Sequence, residues 1–171
     1  MIAIRVGVVV FVAAVFQVAV FSGWQLLGGF PDVLLVTVVS VALLRGAVAG
    51  ALAGFAGGLL VDTATLGTLG VTSLLLAVAG HWCGRYGETS GRGRAFALYF
   101  AIGVIAILVG VGGYLVHFLL GDAVSARLAL PPVLHSALLD VLIAWPVLRV
   151  CQAVVGTAPA EAPPREVELV V

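Results

Sequence analysis

The sequence contains no lysine and no asparagine, a single methionine, two cysteines, and only 9% charged residues among 171 positions. Each shortage excludes something. Soluble domains carry roughly 25% charged residues, so this chain lacks the polar surface that a globule of its size presents to water. Eight arginines balance eight acidic residues for zero formal net charge, which leaves no basic excess for phosphate backbones. Catalytic signatures are missing as well. There is no His-Glu-x-x-His, no Gly-x-Ser-x-Gly, no glycine-rich phosphate loop and no Cys-x-x-Cys. Asp62 and Asp140 are conceivable as an aspartyl protease pair, but Asp62 lacks the Gly-x-Gly-Asp context of intramembrane aspartyl proteases. The three histidines fall on separate segments and make no ligand cluster. The chain is expected to be no enzyme and to need no cofactor or metal.

What is abundant is hydrocarbon: 63% hydrophobic residues and a mean hydropathy of +1.26. The bilayer is therefore the expected solvent, and at ~20 residues per span the length allows about six or seven helices. Six apolar segments can be read: residues 3–21, 29–44, 47–61, 69–82, 95–120 and 133–155. Pro31 opens the second, a residue suited to a first helical turn, and Pro131-Pro132 precedes the sixth. Spans two and three are short, at about 22 Å each by helical rise, and only Arg45-Gly46 separates them. The expected fold is an all-α integral membrane bundle of six helices over residues 1–155. The Ala-, Pro- and Glu-rich residues 156–171 read as a disordered cytoplasmic tail.

The positive-inside rule orients the bundle. With both termini cytoplasmic, Arg5, Arg45, Arg85, Arg92, Arg94, Arg149 and Arg165 lie inside, and Arg127 alone lies outside. The first segment has one basic residue and no clean cleavage site, so it reads as an uncleaved anchor. Cys83 and Cys151 fall at the cytoplasmic face, where thiols stay reduced.

Two features stand out from this background. Gly46, Gly50, Gly54 and Gly58 recur every four residues in span three, with Asp62 at the next step. Residues four apart share a helix face, and glycines there let another helix approach closely. That other helix belongs either to the same bundle or to a partner. Asp140 is the second feature, about 10 Å inside span six from its outer end, where a carboxylate faces protein rather than lipid. Ser136 shares its face, and Gln17, His117 and His135 fall in the same half of the membrane. This outer-half polar network either binds a ligand or fastens helices together. Pro146 is expected to kink span six below it.

The order of these residues resembles the rod shape-determining protein MreD family. Pro31-Asp32-Val33-Leu34-Leu35 opens a span, Leu44-Arg45-Gly46 turns into the glycine-rich helix, Gly57-Gly58-Leu59-Leu60-Val61-Asp62 ends it, and Leu69-Gly70 opens the next. Leu139-Asp140-Val141-Leu142 with Trp145-Pro146 is similar to the family's final helix, where many members carry Asn in place of Asp140. The resemblance implies a non-catalytic plasma-membrane subunit of the bacterial cell-elongation complex. It also implies MreC as partner, and the Gly46–Gly58 stripe read from the spacing is one place where MreC's transmembrane helix would be received. MreB, RodA and a class B penicillin-binding protein complete that complex, which supports peptidoglycan synthesis and cell shape. A bundle similar to the six-helix subunits of energy-coupling-factor vitamin importers is implied too. A vitamin-binding importer subunit is the alternative function. Against it, Ala13, Ala14 and Ala19 do not form the Ala-x-x-x-Ala surface of such subunits.

Overall fold

In a solvent without hydrogen-bonding groups, a long apolar segment has to satisfy its own backbone, and a helix does so. The computed structural model describes residues 2–21, 30–66, 68–89, 95–121 and 126–156. They form α1 (Ile2–Phe21), α2 (Val33–Arg45), α3 (Ala47–Ala64), α4 (Val71–Thr89), α5 (Ala95–Leu119) and α6 (Ala126–Val155). Four of them, α1, α3, α5 and α6, are long and apolar enough to cross a membrane. Outward-facing Phe11, Phe16, Phe100 and Leu108 clothe α1 and α5 in hydrocarbon, as lipid contact requires. Arg92, Arg94, Arg165, Asp122 and the tail beyond residue 156 lie outside the described residues.

The second helix is different. Its 13 residues cover about 20 Å, well short of the ~30 Å hydrocarbon slab. It is also the most buried, with Leu34 to Ala42 and Leu44 all inside the protein. It packs against α1, α3, α4 and α6, and α5 attaches to the outside through α6 and α4. The span expected from residue 29 thus starts four residues later, at Val33.

Two other boundaries move further than this. The fourth helix, expected to end at Trp82, continues to Thr89. Beyond the apolar run its Gly84 and Gly87 lie against Ala47 and Leu43, so packing on the α2–α3 turn carries the helix onward. The sixth helix, expected to begin after Pro131-Pro132, begins at Ala126 and runs through both prolines and Pro146. Prolines are tolerated inside membrane helices where other groups satisfy the freed carbonyls. The His135 ring, with Nδ1 2.7 Å from the Pro131 carbonyl oxygen, turns back onto the same helix just after the proline pair.

Between α2 and α3 the chain reverses at Gly46, whose φ of +93° favours glycine. The resulting hairpin places Gly50 beside Ala42 and Gly57 beside Leu34. The closest pairing is between α3 and α4. A Cβ added at Gly50, Gly54 or Gly58 would sit within 3.0 Å of the backbone of Gly80, Leu76 or Ser73 respectively. Gly80 and Gly84 of α4 meet the backbone of Gly50 and Ala47 in return. The two helices therefore run antiparallel with their main chains touching. Of the two readings of the Gly46–Gly58 stripe, a partner's helix or a helix of the same bundle, this geometry fits the second: α4 of the same chain lies along that face.

Because the obstacle at Gly54 is backbone, it cannot rotate aside. Gly54→Ala is expected to cost about 1–3 kcal/mol or more, read as a lower melting temperature of the detergent-purified protein. Gly7→Ala, with nothing within 4 Å of the added carbon, is expected to melt like the wild type. Equal melting of the two variants would contradict the close α3–α4 contact.

Candidate functional site

The first N–H groups of a helix have no partner within it. At α2 they lie beside the middle of α6, and side chains from three helices reach them. Asp140 of α6 accepts from Asp32 N–H at 2.5 Å, and Gln17 of α1 accepts from Val33 N–H at 2.9 Å. Asp32 itself accepts from Leu35 N–H at 2.9 Å as the N-cap. Two residues before Asp32, Ser136 Oγ accepts from Phe30 N–H at 3.0 Å. Pro31, between Phe30 and Asp32, has no N–H to satisfy. Asp140 is only 2% exposed, and its acceptor oxygen faces the positive end of the α2 dipole.

A second carboxylate serves the same purpose nearby. Asp62, in the last turn of α3 and 3% exposed, accepts from Gly70 N–H at 2.8 Å. It also accepts from the Ser73 N–H and hydroxyl, at 3.4 and 3.2 Å. It thereby caps α4, and Gly70 with φ +97° supplies the turn that points its N–H inward. At the other end of this helix pair, Glu88 of α4 accepts from Ala47 N–H at 2.9 Å, so α3 and α4 cap each other. All the acidic side chains among the described residues are thus bonded to N–H groups at the start of a helix.

The opposite end of α2 is held by a cation. Arg45 donates from Nη2 to the carbonyl of Val155, the last residue of α6, where a positive charge suits the negative helix end. Together, Asp140 and Arg45 tie both ends of α2 to α6.

Of the residues singled out in the sequence, Gln17, Ser136 and Asp140 come together around Pro31 and Asp32, whereas Asp62 and Gly70 form the separate cap of α4. Asp62 and Asp140 engage different helix ends rather than each other. His135 turns to its own helix, and Pro146 lines an apolar recess between α1, α2 and α6. No group of three or more His, Cys, Asp and Glu side chains suited to a metal occurs among the described residues. Sequence reasoning missed Gly80, Gly84 and Glu88. The Gly80-x-x-x-Gly84 spacing was a readable signal, whereas nothing local marks Glu88 as the cap of a helix forty residues away.

The chemistry of the Asp140 site depends on an acceptor oxygen more than on charge. Asp140→Asn, whose amide oxygen still faces Asp32 N–H, is expected to melt close to the wild type. Asp140→Leu leaves that N–H buried and unpaired and is expected to lose about 1–3 kcal/mol. A leucine variant as stable as the asparagine one would show that the contact is dispensable.

No curated protein and no solved structure matches the chain. The family description of rod shape-determining protein MreD matches residues 1–154. That range takes in the whole helical bundle to within one residue of the end of α6, including both carboxylate caps and the glycine ladder. By that match, the chain belongs to the rod shape-determining protein MreD family.

Proposed function

We propose that this chain is a non-catalytic membrane subunit of the bacterial cell-elongation complex, which binds MreC and supports peptidoglycan synthesis along the cell wall. The observation that carries this reading is the family match over residues 1–154, because the family's defining role is to determine rod shape. The internal chemistry agrees with it. The carboxylate and amide oxygens of Asp32, Asp140 and Gln17 are turned to backbone N–H groups, so they hold helices together. A polar vitamin, as an importer subunit would bind, would have to compete with the α2 backbone for those oxygens.

Since α4 covers the glycine face of α3, a transmembrane helix of MreC would have to meet the bundle elsewhere. The outward apolar surfaces of α1 and α5, with Phe11 and Val15 on one and Phe100 and Leu108 on the other, are two faces open to it. MreB, RodA and a class B penicillin-binding protein would join through that pair. We propose too that the bundle shares the arrangement of the energy-coupling-factor importer subunits, a reading supported by its six helices. Both termini are placed in the cytoplasm on the strength of the arginine distribution. That puts Asp32, Asp62 and Asp140 in the outer half of the membrane.

Two measurements test these statements. Affinity-tagged MreC from the same bacterium is expected to co-purify the chain, and depletion of the chain is expected to round the cells. Failure on both counts would refute the assignment. A fluorescent protein fused after Val171 is expected to fluoresce, and alkaline phosphatase at the same position to be inactive. The reverse pattern would invert the orientation.

A further inference from the structure

An apolar groove of 520 Å³ runs between α1, α2 and α6. Val8 and Phe16 mark its two ends on α1, Thr37 forms its floor, and Pro146, Val150 and Val154 line the far wall. The Thr37 hydroxyl already donates to the Val33 carbonyl at 2.8 Å, so the floor offers no hydroxyl awaiting a partner. The walls are hydrocarbon apart from the Cys151 thiol. A polar molecule would lose its hydration here and receive nothing in exchange.

The dimensions narrow the occupant further. From Val8 to Phe16 the groove follows about 12 Å of helix. That is less than half of the ~30 Å over which a transmembrane helix would run. A stretch of alkyl chain matches that length better than a transmembrane helix.

Charge supplies the remaining part. Arg5 shares the α1 stripe of Val9, Val12 and Phe16, at steps of three and four residues. It therefore stands at the mouth of the groove, where α1 begins and α6 ends. It is exposed and has no ion-pair partner among the described residues. Arg149, by contrast, is already engaged, with its guanidinium 5.2 Å from the ring centre of Trp145. A free guanidinium at the water-facing end of a hydrocarbon groove is complementary to a phosphate carrying an acyl chain.

We propose that this groove binds one acyl chain of an anionic glycerophospholipid, with Arg5 on its phosphate. In the orientation proposed above, the lipid belongs to the cytoplasmic leaflet. The site would attach a defined lipid to the wall formed by α1 and α6 and leave the α3–α4 pair untouched.

The test is native mass spectrometry of the full-length, delipidated protein titrated with phosphatidylglycerol or with phosphatidylcholine of identical chains. The wild type is expected to take up one phosphatidylglycerol with at least fivefold preference. Arg5→Gln is expected to reduce that preference below twofold. Val12→Trp, which fills the groove from a position 58% exposed, is expected to weaken binding of both lipids at least fivefold. Arg149→Gln is expected to behave as the wild type. Equal uptake of the two lipids by the wild type, or unchanged uptake by Val12→Trp, would overturn the site. So would a photoreactive group at position 12 that captures a polypeptide instead of lipid. The titration uses purified protein, so its result is independent of which leaflet Arg5 faces, and the fusion experiment decides that separately.

Discussion

A helix of 13 residues placed in a slab ~30 Å thick cannot bring both its ends to water. The start of α2 therefore has its unpaired N–H groups among hydrocarbon, where each one left bare would cost several kcal/mol. Protein side chains have to replace water, and they have to come from outside the helix, because α2 itself offers only Asp32. Gln17 and Asp140 supply the missing acceptors, which fixes how α1 and α6 stand relative to α2. The other helices are then arranged around this buried strut. The α3 hairpin partner lies against it through Gly50 and Gly57, and α4 closes over α3.

The same constraint accounts for how the few charges are used. A carboxylate is expensive in a bilayer unless something compensates it, and a helix N-terminus provides both hydrogen-bond donors and a favourable dipole. Asp62 and Asp140 each exploit a helix other than their own, so every such bond is also a tertiary link. Lipid gives no hydrophobic drive for helices to associate. Capping across helices and main-chain contact along Gly50, Gly54, Gly58, Gly80 and Gly84 do that work instead. The pairing of α3 with α4 combines both devices, with a glycine ladder between two reciprocal carboxylate caps.

Much of this was legible in the residues. Long apolar runs located α1 and α5 almost to the residue, since nothing but hydrocarbon length decides their ends. The depth of Asp140, the shared face of Ser136 and the half-membrane placement of Gln17 pointed to one polar network, and the structure brings these three together. The boundaries that moved are those set by tertiary contact. The polar end of α4 stays helical because Gly84 and Gly87 fit against the α2–α3 turn, and α6 passes through Pro131 and Pro132. The destination of the glycine stripe was not legible either. A small-residue face announces close approach but not whose helix approaches, and the matching glycines of α4 decide it. Glu88 looked like a loop residue because its partner, Ala47, is adjacent only in space.

For a subunit of a shape-determining assembly, these features describe a rigid core with apolar sides. Polar groups are consumed internally at both ends of α2, so the surfaces open to other molecules are the apolar flanks of α1, α3, α4, α5 and α6. The central claim is that Asp140 and Gln17 seal the buried start of α2. Amide hydrogen exchange of the protein in lipid nanodiscs tests it most directly. Exchange at Asp32 and Val33 in the wild type is predicted to be as slow as in the interior of α2, and to accelerate at those two positions when Asp140 is replaced by leucine. Fast exchange at Asp32 and Val33 in the wild type would contradict it.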